Sequence, residues 1–313
     1  MSGNQFPESD SKRKLRLEHL RTFSSFSTEI GNKLVYFGFP SAEMKDVIVW
    51  QGLLKRVVAI ERDRDIATSI AMTAESIGLR DKTVIIRRDL LEVSEWLSLD
   101  PSHRSAAISS LTPSLQSNIN LISKDHFDII YLDMYGGFVY LDDQGNSSNV
   151  NILNNLLRYQ EQFRKPFYIL VTYNLRDTGA GEYRRFVADT LSQLADNQNI
   201  KPDNLEKVKS FYQSEENDTI PASLRRIRFS LPIFLMNSAR HSYEISEFKS
   251  WYYVSSNHFF HASLRFTPRD RRSPLGSTWP HLDEIRLLIN EPIIKLSTEN
   301  GTTVEHIIET PTL

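Results

Sequence analysis

The chain has 313 residues, 40% hydrophobic and 24% charged, with 37 basic and 39 acidic side chains and a net charge of −2. That balance fits an ordinary globular protein of one large domain with additions, and it lacks the basic excess that announces a nucleic-acid binder. With no cysteine, disulfides, thiolate metal sites and cysteine nucleophiles are excluded. No apolar run approaches the roughly 20 residues that span a bilayer. The opening MSGNQFPESDSKRK has no signal-peptide core, so a cytoplasmic location is expected.

Residues 1–12 are polar, and 13–30 predict an amphipathic helix with Leu15, Leu17, Leu20 and Phe23 on or near one face. Four short apolar runs follow: LVYFG at 34–38, VVAIE at 57–61, VIIRRD at 84–89 and DIIYLD at 128–133. Runs of this kind, separated by amphipathic stretches, read as strands of a parallel sheet buried on both faces. The intervening segments predict a helix from a Ser41 cap through Leu54, a second over 63–77 closed by Gly78, and a third over 90–99. A break falls at Asp100-Pro101, and another helix lies within 106–122. A turn-rich MYGGF follows Asp133; then come a helix at 150–163, a fifth strand at 167–173, a helix at 181–195 and a polar connector with weak helical character at 196–222.

Beyond the connector the pattern changes. Residues 226–236 and 250–266 are β-rich and aromatic. The intervening 237–249 is too short for an ordinary crossover helix, which predicts an antiparallel pair. Residues 280–290 look helical, and 293–297 with 302–307 flank Glu299-Asn300-Gly301, a hairpin signal. The expected organisation is an N-terminal arm (1–30), a main domain (31–270) and a C-terminal appendage (271–313).

The strand ends carry the chemistry. The first predicted strand closes on Gly38 and the next three on Glu61, Asp89 and Asp133. In a parallel sheet the carboxyl ends of the strands share one edge, where ligands bind. Glu61 follows Gly38 at close to the roughly 20-residue spacing at which an acid reaches ribose hydroxyls in nucleotide-binding folds. A carboxylate suits a diol because it accepts two hydrogen bonds. The alternatives are local: Glu61 capping a helix or pairing with Arg62 or Arg64, and Asp89 capping the helix after it.

Five β/α units followed by an antiparallel strand pair resemble the class I S-adenosylmethionine-dependent methyltransferases, over roughly residues 31–267. The resemblance implies an α/β fold with a doubly wound, mostly parallel sheet in the order 3-2-1-4-5-7-6, strand seven antiparallel, and helices on both faces. It also implies S-adenosylmethionine as cofactor. Gly38 would lie against its methionine part, although only this one of the family's several glycines is present, and Glu43 or Asp46 would meet its ammonium group. Glu61 would hold the ribose, Asp89 the adenine amine, and Leu90 the ring.

The segment Asp133-Met-Tyr-Gly-Gly-Phe138 matches the fourth motif of amine-methylating members. It is similar to the Asp-Pro-Tyr/Phe-Gly motif of tRNA guanine N2-dimethyltransferases, with Met134 in place of proline. Asp133 would orient the acceptor amine and Tyr135 would stack on a planar base. Tyr173, Asn174 and Arg176, after the fifth strand, would contact substrate; a buried tyrosine and a capping asparagine are the alternative.

The implied function is methyl transfer to an amine, on a base of RNA or DNA, with the basic clusters at 12–16, 225–228 and 269–272 as contacts. A methyltransferase-like scaffold without catalysis is favoured by the single glycine, and a small-molecule methyltransferase by the near-neutral charge. No metal site is expected, because the eight histidines show no ligand spacing and His258 and His261, three apart in a strand, fall on opposite faces.

Overall fold

The computed structural model describes residues 9–134, 148–175, 180–195, 200–213, 221–255, 257–269, 282–299 and 302–313. A long helix α1 (Asp10–Glu29) precedes β1 (Leu34–Gly38), α2 (Lys45–Trp50), β2 (Leu54–Ile60), α3 (Arg64–Ser76), β3 (Thr83–Ile86) and α4 (Leu90–Ser98). Next come α5 (Pro101–Ala107), α6 (Pro113–Ile122), β4 (Ile129–Met134), α7 (Ser148–Glu161), β5 (Phe167–Asn174), α8 (Ala180–Ala195) and α9 (Pro202–Gln213). The chain ends with α10 (Ala222–Ala239), β6 (Tyr243–Val254), β7 (His258–Pro268), α11 (Leu282–Asn290), β8 (Ile293–Glu299) and β9 (Thr302–Ile308).

All strands join one sheet in the order β3-β2-β1-β4-β5-β7-β6-β8-β9. The first five pair in parallel, and β7 runs antiparallel to both β5 and β6. Alternate residues face two helical layers. Leu34 and Tyr36 of β1, with Ile129 of β4, pack against Phe23, Phe26, Val47, Trp50 and Ile70 of α1–α3. Val35, Phe37, Ile130 and Leu132 face the larger core built on α4 and α6–α11. Every residue of β1 is buried, as a strand covered on both faces requires.

The sheet has the expected order, but the antiparallel pair is formed by different residues. The expected pairing of 226–236 with 250–266 is wrong. Residues 226–236 lie in α10, and the antiparallel pair is β6–β7. The segment reads as a strand because it is apolar at nearly every position; a helix buried all round has the same composition. Its arginines are buried too. Arg225 Nη1 donates to Phe211 O at 2.5 Å and Arg228 Nη2 to Glu291 O at 2.5 Å, with the Arg228 guanidinium 4.2 Å from the Phe248 ring centre. Burial brings the Arg228 pKa down to about 10.

Other departures are local. The helix expected from Ser41 to Leu54 is only α2, entered through Met44 in the left-handed region (φ 48°), and Leu54 begins β2. The break at Asp100-Pro101 is instead the start of α5, with Asp100 as its cap and Pro101 in its first turn. The weak helical character of the polar connector is realised as α9. Asp63 caps α3, and Gly78 (φ 70°) lies just beyond that helix as expected. The C-terminal hairpin β8–β9 extends the main sheet, with β8 parallel to β6.

Candidate functional site

Strand order reverses between β1 and β4, and a parallel sheet opens a crevice at the carboxyl ends of such a pair. A cavity of about 690 Å³ lies there. Its floor is Tyr131 and Asp133 of β4, Asn174 of β5 and Phe39 and Ser41 after β1. Lys12, Arg16 and His19 of α1 form one wall, with Asp46 and Trp50 of α2 below them, and Tyr253, Phe259 and His261 of β6 and β7 form the other.

Gly38 closes β1 beside this floor, and the structure gives it a packing role. A Cβ at Gly38 would stand 2.1 Å from the backbone O of Tyr131 on β4. The glycine therefore lets two strands meet, and the loop after it, Phe39-Pro40, has no further glycine to bring backbone close to a ligand. Glu43 pairs with Lys45 at 2.5 Å and Asp46 with Arg16 at 2.5 Å, so both acids already have cations.

Glu61 and Asp89 stand outside the cavity lining, past β1 at the ends of β2 and β3. The Glu61 N–H donates to Ile86 O at 3.1 Å, and its Oε1 accepts from Asp63 N at 2.7 Å. Asp89 Oδ1 accepts from Leu91 N at 2.9 Å, capping α4, and Oδ2 lies 3.7 Å from Arg62 Nη1. The local alternative is realised for Asp89 as a helix cap, whereas the cap of α3 is Asp63 and not Glu61; both carboxyls remain on the carboxyl edge of the sheet. Leu90, the first residue of α4, is buried in the larger core.

Asp133 opens onto the cavity with its side chain exposed there, and the protein around the carboxylate takes away part of its water. That desolvation raises its pKa; Lys12 opposes the rise and Asp46 adds to it. Asn174 faces the same cavity, and its Oδ1 is buried without a hydrogen-bond partner among the described residues. Tyr173, expected in this cleft, points the opposite way, into the core with Ile169 and Val171, because side chains alternate along β5. Tyr135 and Arg176 lie outside the described residues.

Sequence reasoning missed Tyr131 on the floor and His19 and His261 on the walls. Tyr131 had a readable signal, since it sits two positions before Asp133 and a strand repeats its facing every second residue. His19 and His261 had none, because α1 and β7 are 242 residues apart there. Their Nε2 atoms are 2.8 Å apart, and His261 Nδ1 is 2.8 Å from Thr172 Oγ1. Both rings are buried, at 3% and 1% exposure, packed with Phe23, Trp50 and Trp251. His258 falls on the other face, beside Tyr252 at 2.5 Å. No group of three candidate metal ligands occurs among the described residues.

Burial, with Lys12 nearby, lowers the His261 pKa to about 3; burial, His261 and Lys249 hold His19 well below 6.5. The folded chain thus refuses protons that the unfolded chain accepts. Stability from this pair is full above about pH 6.5 and falls as pH drops toward the folded pKa values, by up to about 1.4 kcal/mol per pH unit for each imidazole. Denaturant unfolding at about pH 7 and pH 5 checks this against the double variant His19→Gln/His261→Gln. The wild type should lose more stability on acidification than the variant; equal losses would contradict the buried neutral pair.

No family model matches the chain, and no curated protein matches it. Solved structures match weakly. The N-methyltransferase NodS from Bradyrhizobium japonicum, in complex with S-adenosyl-L-homocysteine, is 10% identical over 80% of this chain and 86% of its own, with a TM-score of 0.36. Magnesium protoporphyrin IX methyltransferase (ChlM) from Synechocystis, also with bound S-adenosyl-L-homocysteine, is 9% identical over 85% and 90%, with a TM-score of 0.37. A protein of the NADB-Rossmann superfamily from Streptococcus agalactiae is 11% identical over 80% and 68%, with a TM-score of 0.35. Likeness this slight says nothing about chemistry, which has to be read from the site's own residues.

Proposed function

We propose that the protein is an S-adenosylmethionine-dependent methyltransferase acting on an amine. The observation that carries this reading is the placement of three acids on one sheet edge of class I strand order, Glu61 and Asp89 on one side of β1 and Asp133 in the cavity on the other. Fold alone would not suffice, since one fold hosts many functions. The donor set fits the nucleoside end of the cofactor: Glu61 can accept from a ribose diol, and Asp89 from an adenine amine. The β1 loop offers no glycine cradle for the methionine end.

Bound there, the cofactor supplies an electrophilic methyl group on a sulfonium. Asp133 accepts a hydrogen bond from the acceptor amine, which turns the nitrogen lone pair toward the methyl group. On taking up that methyl group the amine nitrogen would shed a proton, and Asp133, whose raised pKa suits it as a base, would receive it. On this reading Glu61→Ala weakens cofactor binding by about 1.5–3 kcal/mol, the range for hydrogen bonds to a charged group. An unchanged affinity in a folded variant would remove Glu61 from the site.

For the acceptor, a small molecule is the better supported class. The cavity volume falls within the roughly 300–1,000 Å³ of small-molecule sites. Of the three basic clusters expected to ring it on a nucleic acid, the one at 225–228 and the described Arg269 do not line it. Arg225, Arg226 and Arg228 are buried in α10, and Arg269 is paired with Glu244 and Glu284, while residues 270–272 lie outside the described residues. Of the α1 cluster, Lys12 and Arg16 do reach the cavity, which keeps RNA or DNA as a second reading. Incubation with methyl-labelled S-adenosylmethionine and separate pools of cellular small molecules, RNA and DNA distinguishes them. Label in the small-molecule pool, lost in Asp133→Ala, is expected; label in no pool favours a binding protein without catalysis.

A further inference from the structure

The cavity lining holds three cations, Lys12, Arg16 and Lys45, and three acids, Glu43, Asp46 and Asp133. Four of the six pair with one another, Arg16 with Asp46 and Lys45 with Glu43. Lys12 and Asp133 are left, and neither side chain has an ion-pair partner among the described residues. Lys12 Nζ instead stands 5.5 Å from the centre of the Phe259 ring, a cation resting on an aromatic face. Strand register sets the spacing. Asp133 pairs with Thr172, one strand over, and Phe259 pairs with Asn174, on the same strand as Thr172. Phe259 therefore lies two strands from Asp133, about 10 Å across the sheet at the usual strand separation. The surface around both is aromatic. Tyr131 shares the Asp133 face of β4, and the Phe259 ring stacks on Tyr253 with centres 5.3 Å apart.

We propose that the acceptor is a small amphoteric molecule, an amine that also carries a carboxylate or a phosphate, with its nitrogen at Asp133 and its anion at Lys12. The proposal rests on the amine-methylation reading and names the substrate class of the same cavity. A simple amine would match Asp133 and leave Lys12 facing no anion; a simple acid would do the reverse. A molecule with both groups matches both charges, and complementarity of this kind selects partners even where it adds little affinity. Distance constrains the molecule further. The cofactor's methionine end also has an ammonium and a carboxylate, but on one carbon, too close together to reach from Asp133 to the lysine on Phe259. The acceptor's charges lie at opposite ends of it, and the part between them is apolar or planar, to lie on the aromatic rings.

Methyl-labelled S-adenosylmethionine, the full chain and a small-molecule pool from a cell extract give the test. The label is expected in compounds held by a cation exchanger in acid and by an anion exchanger in alkali. Phosphatase treatment of the pool beforehand should abolish labelling if the anion is a phosphate, and methyl esterification if it is a carboxylate. Labelling that survives both treatments would overturn the proposal, as would label confined to RNA or DNA or found in no pool. Lys12→Met should lower transfer about ten-fold or more at limiting pool, the loss of a hydrogen bond to a charged group, and regain much of it at excess pool, a KM effect. Lys12→Arg should keep most of the transfer. Full transfer in Lys12→Met at limiting pool would overturn the proposal. Titration of S-adenosylmethionine into the same samples sorts the failures. Lys12→Met should bind it as the wild type does; weaker binding would assign Lys12 to the cofactor's carboxylate and overturn this proposal alone. No binding to the wild type would sink the methyltransferase reading beneath it.

Discussion

Replacing Gly38 with alanine should destabilise the protein by about 3 kcal/mol or prevent it from folding. The added methyl group would stand 2.1 Å from the Tyr131 carbonyl oxygen and 3.0 Å from its carbon, and both are backbone atoms of β4 held in the middle of the sheet. A flexible side chain could swing aside; a central strand cannot shift without parting from β5. The contrast is Gly52, where an added Cβ meets nothing within 4 Å and φ is not in the left-handed region. Gly52→Ala should be neutral, or stabilising by about 0.4–1 kcal/mol through the unfolded chain. Denaturant unfolding of the two variants side by side is the check. A Gly38→Ala protein as stable as Gly52→Ala would mean that the glycine is not there for strand contact, and its assignment to a ligand loop would return.

Asp133→Asn should cut methyl transfer by about 10²–10⁴-fold, the range lost with a positioned acid–base group, while leaving cofactor affinity unchanged. The separation follows from the geometry. Asp133 lines the cavity, and Glu61 and Asp89 lie beyond β1, outside that lining. An amide keeps the size of the side chain and one acceptor oxygen, but it cannot take up the amine's proton. Wild-type transfer should also fall in acid. Burial raises the Asp133 pKa above its ordinary 3.8, so the working carboxylate is present above that raised value and is lost as pH drops through it. The Asn variant should lack this acid limb. Parallel loss of cofactor affinity and transfer in Asp133→Asn would merge the two halves of the site and contradict their assignment.

Much of the fold was legible because parallel strands announce themselves. LVYFG and DIIYLD are β-branched and aromatic on both faces, and only a sheet covered on both sides tolerates that. Gly78 and Asp63 marked the ends of α3 by chemistry that acts locally. The antiparallel strand was expected in the right place in the sheet and assigned to the wrong residues. RRIRFSLPIFLM buries almost every side chain, and period fails as a signal when no face is left to solvent.

At the site, the acids were legible from their position at strand ends. The Asp89 cap was legible too; the Glu61 partner was not, because Asp63 N comes within reach only through the turn that follows. Gly38 was legible as a glycine but not as a strand contact, since Tyr131 lies far along the chain. The His19–His261 pair, joined across the chain by tertiary packing alone, had no trace in the sequence.

Calorimetric titration of S-adenosylmethionine, and of S-adenosylhomocysteine as the product-side ligand, into the full chain tests the proposed function most directly. The expected result is saturable binding of both at one site, weakened in Glu61→Ala and unchanged in Asp133→Asn. A folded chain that shows no saturable binding of either ligand up to about 1 mM, an affinity of roughly 4 kcal/mol, would contradict the methyltransferase reading. The cavity would then belong to a protein that keeps the sheet of a methyltransferase without its cofactor.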